Sequence, residues 1–111
     1  MNYNKFLPLT ETTFYIMLSL TEPSHGYAVM QKVEQLSDNK VKIAAGTLYG
    51  AFENLVRQKL IRAVATEDTR RKVYVLTEEG MEVLKLEIQR LKHLVSISGN
   101  VADGEKSITI G

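Results

Sequence analysis

Reactive side chains are scarce in this chain. His25 and His93 are its only histidines, and it has no cysteine. His25 stands beside a glycine at a helix start, His93 falls late in another helix, and neither has a His/Asp/Glu cluster nearby, so no metal site is expected. The stretch Gly46-Thr47-Leu48-Tyr49-Gly50 has neither the P-loop nor the dinucleotide-binding spacing. Ser24 beside His25 reads as a cap and turn, with Ser24 capping the helix that follows, rather than as nucleophile and base. Catalytic residues, metals and cofactors are therefore not expected, and the chain reads as a non-enzyme.

Charge is the more informative signal. The net charge of +1 conceals a division: Lys40 to Lys72 holds eight bases and three acids, a net +5, and the rest carries −4. A basic middle in an otherwise acidic chain suits a polyanionic partner, the alternative being a solvated patch of mixed charge. The 111 residues make one domain of ordinary composition, 44% hydrophobic and 24% charged. No apolar run approaches the roughly 20 residues that span a bilayer, and Met1 to Thr10 lacks the apolar stretch of a signal peptide. With no cysteine, a cytoplasmic location without membrane partners is expected.

The helix and turn that carry these charges centre on Gly46 to Ile61. Leu48, Ala51, Phe52, Leu55 and Val56 recur at the spacing of one helical face. Thr47, Gly50, Asn54 and Arg57 lie opposite, with Tyr49 and Glu53 toward one flank. That outer face is small at its start and hydrogen-bonding throughout, suited to approaching a groove closely. Its start lacks a Ser or Asp cap, so its free N–H groups could meet a phosphate. Glu53 and Arg57 are spaced for an i, i+4 ion pair.

In chain order, Met1 to Pro8 is an arm whose Tyr3, Phe6 and Leu7 can pack on a neighbour. Thr10 to Leu20 is a strongly apolar helix, capped by Thr10 or Thr12, buried on more than one side and shareable with a second subunit. Pro23 breaks the chain before a second helix over His25 to Leu36. Ser37 to Lys40 is a turn, and Val41-Lys42-Ile43 alternates like a very short strand. Leu60 to Thr66 and Lys72 to Thr77 read as strands joined by a polar loop, Glu67 to Arg71. Thr77 caps the last helix, which ends at Gly99-Asn100.

This order predicts a mainly α fold with a small β-hairpin: a winged helix-turn-helix followed by a C-terminal dimerisation helix. An arm and DNA-binding domain would span 1–77, the dimerisation helix 78–98 and a mobile tail 99–111. The third helix would enter the major groove of double-stranded DNA, bringing Lys42, Gly46, Thr47, Tyr49, Gly50 and Asn54 to it. Arg70, Arg71 and Lys72 on the wing would reach adjacent phosphates. Two other readings compete. A protein-interaction module is favoured if the bases scatter over several faces, and RNA binding lacks a stacking platform on the strands.

Several motifs in order also resemble the PadR-type transcriptional regulators. They are Leu9 to Leu20 (LTETTFYIMLSL), His25-Gly26-Tyr27, Gly46 to Gly50 (GTLYG), Leu60-Ile61, and Arg71 with Tyr74, Leu76, Thr77 and Gly80. The resemblance implies a winged helix-turn-helix repressor that dimerises through its C-terminal helix, often assisted by its first. It also implies release from operator DNA by a small effector, commonly phenolic or aromatic, and a phosphate contact for Tyr49. Ala44-Ala45 departs from the family's Ser-Pro before the GTLYG motif, which bears on the helix cap. Val73-Tyr74 departs from its paired wing aromatics, which bears on wing packing.

The last helix carries Met81, Leu84, Ile88, Leu91 and Val95 at alternating steps of three and four, a short heptad seam. Val83, Leu86 and Leu94 add apolar surface elsewhere on it. So apolar a helix is expected to divide between its own subunit and a two-fold copy, with Phe14 of the first helix at the same interface.

Overall fold

The computed structural model describes residues 2–68 and 70–104. Thr10 caps the first helix, α1 (Glu11–Ser19), by accepting the Thr13 N–H at 3.1 Å. Ile16 and Met17 are completely buried while Phe14, Tyr15 and Leu18 are partly so, as a helix covered on several sides requires. The arm before it coils into a 3-10 turn at Tyr3–Phe6, and Tyr3, Phe6 and Leu7 pack against the core.

The break at Pro23 does more than stop α1. Ser24–His25 forms a short strand, β1, so the expected hairpin is a three-stranded antiparallel sheet of order β1-β3-β2. β2 (Ile61–Val64) pairs with β3 (Val73–Leu76), placing Ile61 opposite Leu76, and β1 sets Ser24 opposite Tyr74. Helix α2 (Gly26–Leu36) is capped by His25, not Ser24: the ring Nδ1 accepts the Ala28 N–H at 3.3 Å. Ser24 is drawn into the sheet, where its buried hydroxyl accepts from Lys32 Nζ at 2.7 Å.

Asp38 and Asn39 take the left-handed conformation, which suits their short polar side chains, and turn the chain after α2. Residues 41–43 are not a strand. Ile43 is buried in the core with Val41 packed against it, and among the described residues no strand pairs with this segment. Helix α3 (Ala45–Arg57) buries Leu48, Phe52 and Leu55. It closes with Lys59 left-handed (φ 65°), the Lys59 N–H donating to the Val56 carbonyl and the Leu60 N–H to the Leu55 carbonyl. This is the paired closure with which helices commonly end.

Helix α4 (Glu78–Ile97) starts from a tight joint with β2. Thr77 caps it through the Gly80 N–H at 3.0 Å, and its hydroxyl donates to the Lys59 carbonyl at 2.7 Å. A Cβ on Gly80 would stand 2.0 Å from the Leu60 carbonyl oxygen, so only glycine permits this approach. Beyond α4, Val101–Asp103 form a 3-10 turn, and the rest of the expected tail, 105–111, lies outside the described residues.

Candidate nucleic-acid interface

The first two turns of α3 stand open. Gly46, Thr47 and Gly50 are exposed, and a Cβ at Gly46 or Gly50 would meet nothing within 4 Å. Glycine inside a helix costs roughly 1 kcal/mol relative to alanine, so the fold itself gains nothing from either residue. Gly26 and Gly80, by contrast, are each pressed by a neighbour. Ala44 provides no side-chain cap, so the first N–H groups of α3 have no acceptor from it.

Tyr49 flanks this face, 49% exposed, with its ring laid over Gly26: a Cβ there would come within 2.7 Å of the Tyr49 hydroxyl. The ring meets Phe52 edge-on at 5.9 Å, and Phe52 stacks at a tilt on Tyr74 of β3 at 4.8 Å. One aromatic chain thus fixes α3, the start of α2 and the wing relative to one another. A cleft of about 370 Å³ opens beside Tyr49, and Arg70, Arg71 and Lys72 line it together with His25, Gly26 and Tyr27. Arg70 is held by Asp68 at 3.4 Å, whereas Arg71 extends Nη1 to 3.3 Å from His25 Nε2. Thr69, in the same loop, lies outside the described residues.

The bases of the middle segment do not form one stripe. Lys42 is exposed in the turn before α3, while Arg57 and Lys59 line a separate cleft with Lys5 near the N-terminal arm. Asn54 faces that side too, lining a groove with Lys5, Thr10 and Thr13. The expected Glu53–Arg57 pair does not form. Arg57 Nη1 donates instead to Asn54 Oδ1 at 3.4 Å, and the described ion pairs are Asp68–Arg70, Glu82–Lys85 and Glu87–Arg90. The wing bases Arg70, Arg71 and Lys72 thus come together beside the open turns of α3, whereas Asn54 lies on the other side with Lys5. His25 reaches Arg71 across 46 residues of chain, a contact for which the sequence carries no local signal.

The seam of α4 divides. Leu84 is buried in its own core with Val83, and Met81 packs partly against that core, so Leu84 faces inward. Phe14, Ile88, Leu91 and Val95 come together around an open apolar groove of about 380 Å³, bordered by Lys92 and Ser96. Leu91 is 38% and Val95 70% exposed. Between the halves, Glu87 is 1% exposed, accepts the Leu9 N–H at 2.7 Å and binds the Arg90 guanidinium. The Arg90 hydrogen bond holds the Glu87 carboxyl below its ordinary pKa, and it raises that of Arg90 in turn. Among the described residues no group of three His, Cys, Asp or Glu could hold a metal ion, and no helix is long and apolar enough to cross a membrane.

Comparison with known proteins matches the Transcriptional regulator PadR-like family over residues 15–86. A padr family transcriptional regulator from Eggerthella lenta is 27% identical, covering 85% of this chain and 83% of its own at a TM-score of 0.66. A transcriptional regulator from Clostridium thermocellum is 26% identical over 76% and 84% of the two chains, TM-score 0.63. A PadR-like regulator from Bacillus cereus shares the fold at a TM-score of 0.69, covering 91% and 99%, with 21% identity. The uncharacterized 37.1 kDa protein in transposon TN4556 of Streptomyces fradiae is 35% identical over 72 residues, 65% of this chain. The chain spans about a fifth of that relative's length. The four α-helices and the three-stranded sheet of the described residues agree with a family match over residues 15–86: the chain belongs to the PadR-like family of transcriptional regulators.

Proposed function

We propose that the protein is a homodimeric, sequence-specific DNA-binding repressor. The observation carrying this is the open start of α3, with two helical glycines that the fold does not require, beside a wing cleft lined by three bases; it outweighs the separate placement of Arg57 and Lys59, which on charge alone favours a protein-interaction module. An absent side chain lets the rim of a DNA groove approach the helix backbone closely, and the uncapped N–H groups of α3 then meet a phosphate. Thr47, Gly46 and Gly50 approach base edges. Tyr49, Arg71 and Lys72 contact phosphates, with Arg70 once it leaves Asp68, and Lys42 borders the same groove. Asn54 reads a base only if Arg57 releases it.

The apolar second half of α4 provides the dimer contact through Phe14, Ile88, Leu91 and Val95 of each copy, supported by the open groove that the four line and by the exposure of Leu91 and Val95 in the single protomer. Two-fold symmetry sets the recognition helices about 34–36 Å apart and makes the operator a palindrome. A small aromatic effector fits the apolar groove where the two copies meet; by changing how they cross, it would alter that spacing and release the DNA. Acting on DNA, the protein works in the cytoplasm. No cofactor has a role in this scheme.

The test is selection of bound duplexes from a random DNA pool, with affinity then followed against salt. The expected result is a palindromic consensus and a logarithmic salt slope of roughly −5 to −9, as three to five phosphates per subunit require. A flat response, or no enriched duplex, would favour the protein-interaction reading instead.

A further inference from the structure

His25 has two ring nitrogens, and the fold commits one of them. Nδ1 accepts the Ala28 N–H at 3.3 Å, which requires its lone pair. The ring proton must then reside on Nε2. Yet Nε2 faces Arg71 Nη1 at 3.3 Å, and a guanidinium nitrogen is always a donor. Two donors are therefore held side by side with no acceptor between them. Arg71 has no carboxylate partner among the described residues, Asp68 being taken by Arg70. The Tyr49 hydroxyl, over Gly26 in the same cleft, likewise has no hydrogen-bond partner among the described residues.

Parallel donors call for an anion with two adjacent oxygens. We propose that His25 and Arg71 jointly hold one phosphodiester of the DNA backbone, each donating to a different nonbridging oxygen, with Tyr49 at the edge of the site. This rests on the DNA-binding reading above and adds to it a residue which that reading leaves in a purely structural role. It gives His25 two tasks. Nδ1 fixes the start of α2, and Nε2–H is thereby aimed outward at the phosphate that the wing arginine approaches from the other side. The register of β1 on β3, with His25 opposite Val73, keeps the imidazole and the wing at a set separation.

The test separates the two tasks. Asparagine is an effective helix cap, so His25→Asn keeps the acceptor for Ala28 and removes the outward donor. Against a random-sequence duplex at low salt, this variant should bind about tenfold more weakly at unchanged melting temperature, the loss expected for one charge-assisted hydrogen bond. Because both donors serve one phosphate, His25→Asn should add little to the loss already caused by Arg71→Ala. Nitrogen-15 spectra of the wild-type histidine rings give a second readout that needs no variant. The free protein should show the Nε2–H form of His25, with its Nε2 signal moving on duplex addition and the His93 signals staying still. Wild-type affinity in His25→Asn, losses that simply multiply in the double variant, or an unmoved Nε2 signal would each overturn the clamp while leaving DNA binding intact. A wild-type protein that binds no duplex would overturn both.

Discussion

The outer face of α3 and the second half of α4 are both left open by the protomer, but in opposite chemical senses. The α3 face is polar, lacks side chains at Gly46 and Gly50, and borders a basic wing cleft. The end of α4 carries Leu91, Leu94, Val95 and Ile97 exposed with no core to cover them. Each gives up stability that the single chain could have had: the first in helix propensity, the second in apolar surface left in water. A surface deficient in bulk suits a partner that brings its own relief and charge. A surface with excess apolar area suits a copy with the same excess. The contrast is sharpest within α4, where Val83 and Leu84 are buried and Val95 is mostly exposed.

The largest effect should separate those halves of α4. Leu84→Ala opens a cavity in the protomer core and should cost about 2–5 kcal/mol in urea unfolding. Val95→Asp should barely change protomer stability but should shift sedimentation from dimer to monomer and weaken DNA binding with it. Equal stability losses in both would erase the distinction. Ile88→Asp is the blunter probe, because Ile88 also packs partly on its own core.

The glycines of the α3 face and of the α4 joint differ in the same way. Gly80→Ala drives a Cβ into the Leu60 carbonyl, itself held by the Thr77 N–H, and should destabilise the fold by about 3 kcal/mol. Gly50→Ala, in open space, should stabilise by about 1 kcal/mol yet weaken binding to the selected duplex. A Gly50→Ala protein that binds as tightly as wild type would remove the case for close approach of the groove.

Glu87 sits at the border between the two halves of α4, and its effect is smaller. Its carboxyl titrates below the ordinary range, first because of the Arg90 hydrogen bond, with the Leu9 N–H and the charge of Arg90 adding and burial opposing. The stabilisation is thus complete above the unfolded carboxyl pKa of about 4.3 and disappears as pH falls through the lower folded value. Glu87→Gln should cost about 1–2 kcal/mol at neutral pH, the gap to wild type closing below about pH 4. A pH-independent gap would show that shape, not charge, makes the difference. Smallest of all, Gly26→Ala should cost under about 1 kcal/mol. Its Cβ meets only the movable end of the Tyr49 ring, and the change should register as a shift in Tyr49 ring resonances. An unshifted ring would mean that Tyr49 is not held against Gly26.

What was legible in the chain was local. Thr10 and Thr77 cap their helices because capping needs only the next three residues, and the α3 core face follows from its spacing except at Val56, which stands 42% exposed at the end of the expected stripe. The order of helices, the wing and the basic loop were visible for the same reason, since each depends on short-range pattern. The failures were equally physical. Ser24 reads as the cap of α2, but pairing with Tyr74 draws it into the sheet and leaves the cap to His25. Residues 41–43 alternated like a strand but found no neighbour to pair with. The i, i+4 spacing of Glu53 and Arg57 offered a pair that Asn54 displaced.

The order of the four helices and the two wing strands, the family and the position of the basic wing could all be read from the chain, because helical periodicity, capping and turn chemistry act over a few residues; the strand at Ser24–His25 could not. Which residues those elements bring together depends on how they pack in three dimensions. Glu87 meets Leu9 across 78 residues and His25 meets Arg71 across 46. That packing also decides where along α4 the core ends and the open surface begins, because a heptad pattern marks a helix's apolar sides without saying which of them its own fold will cover.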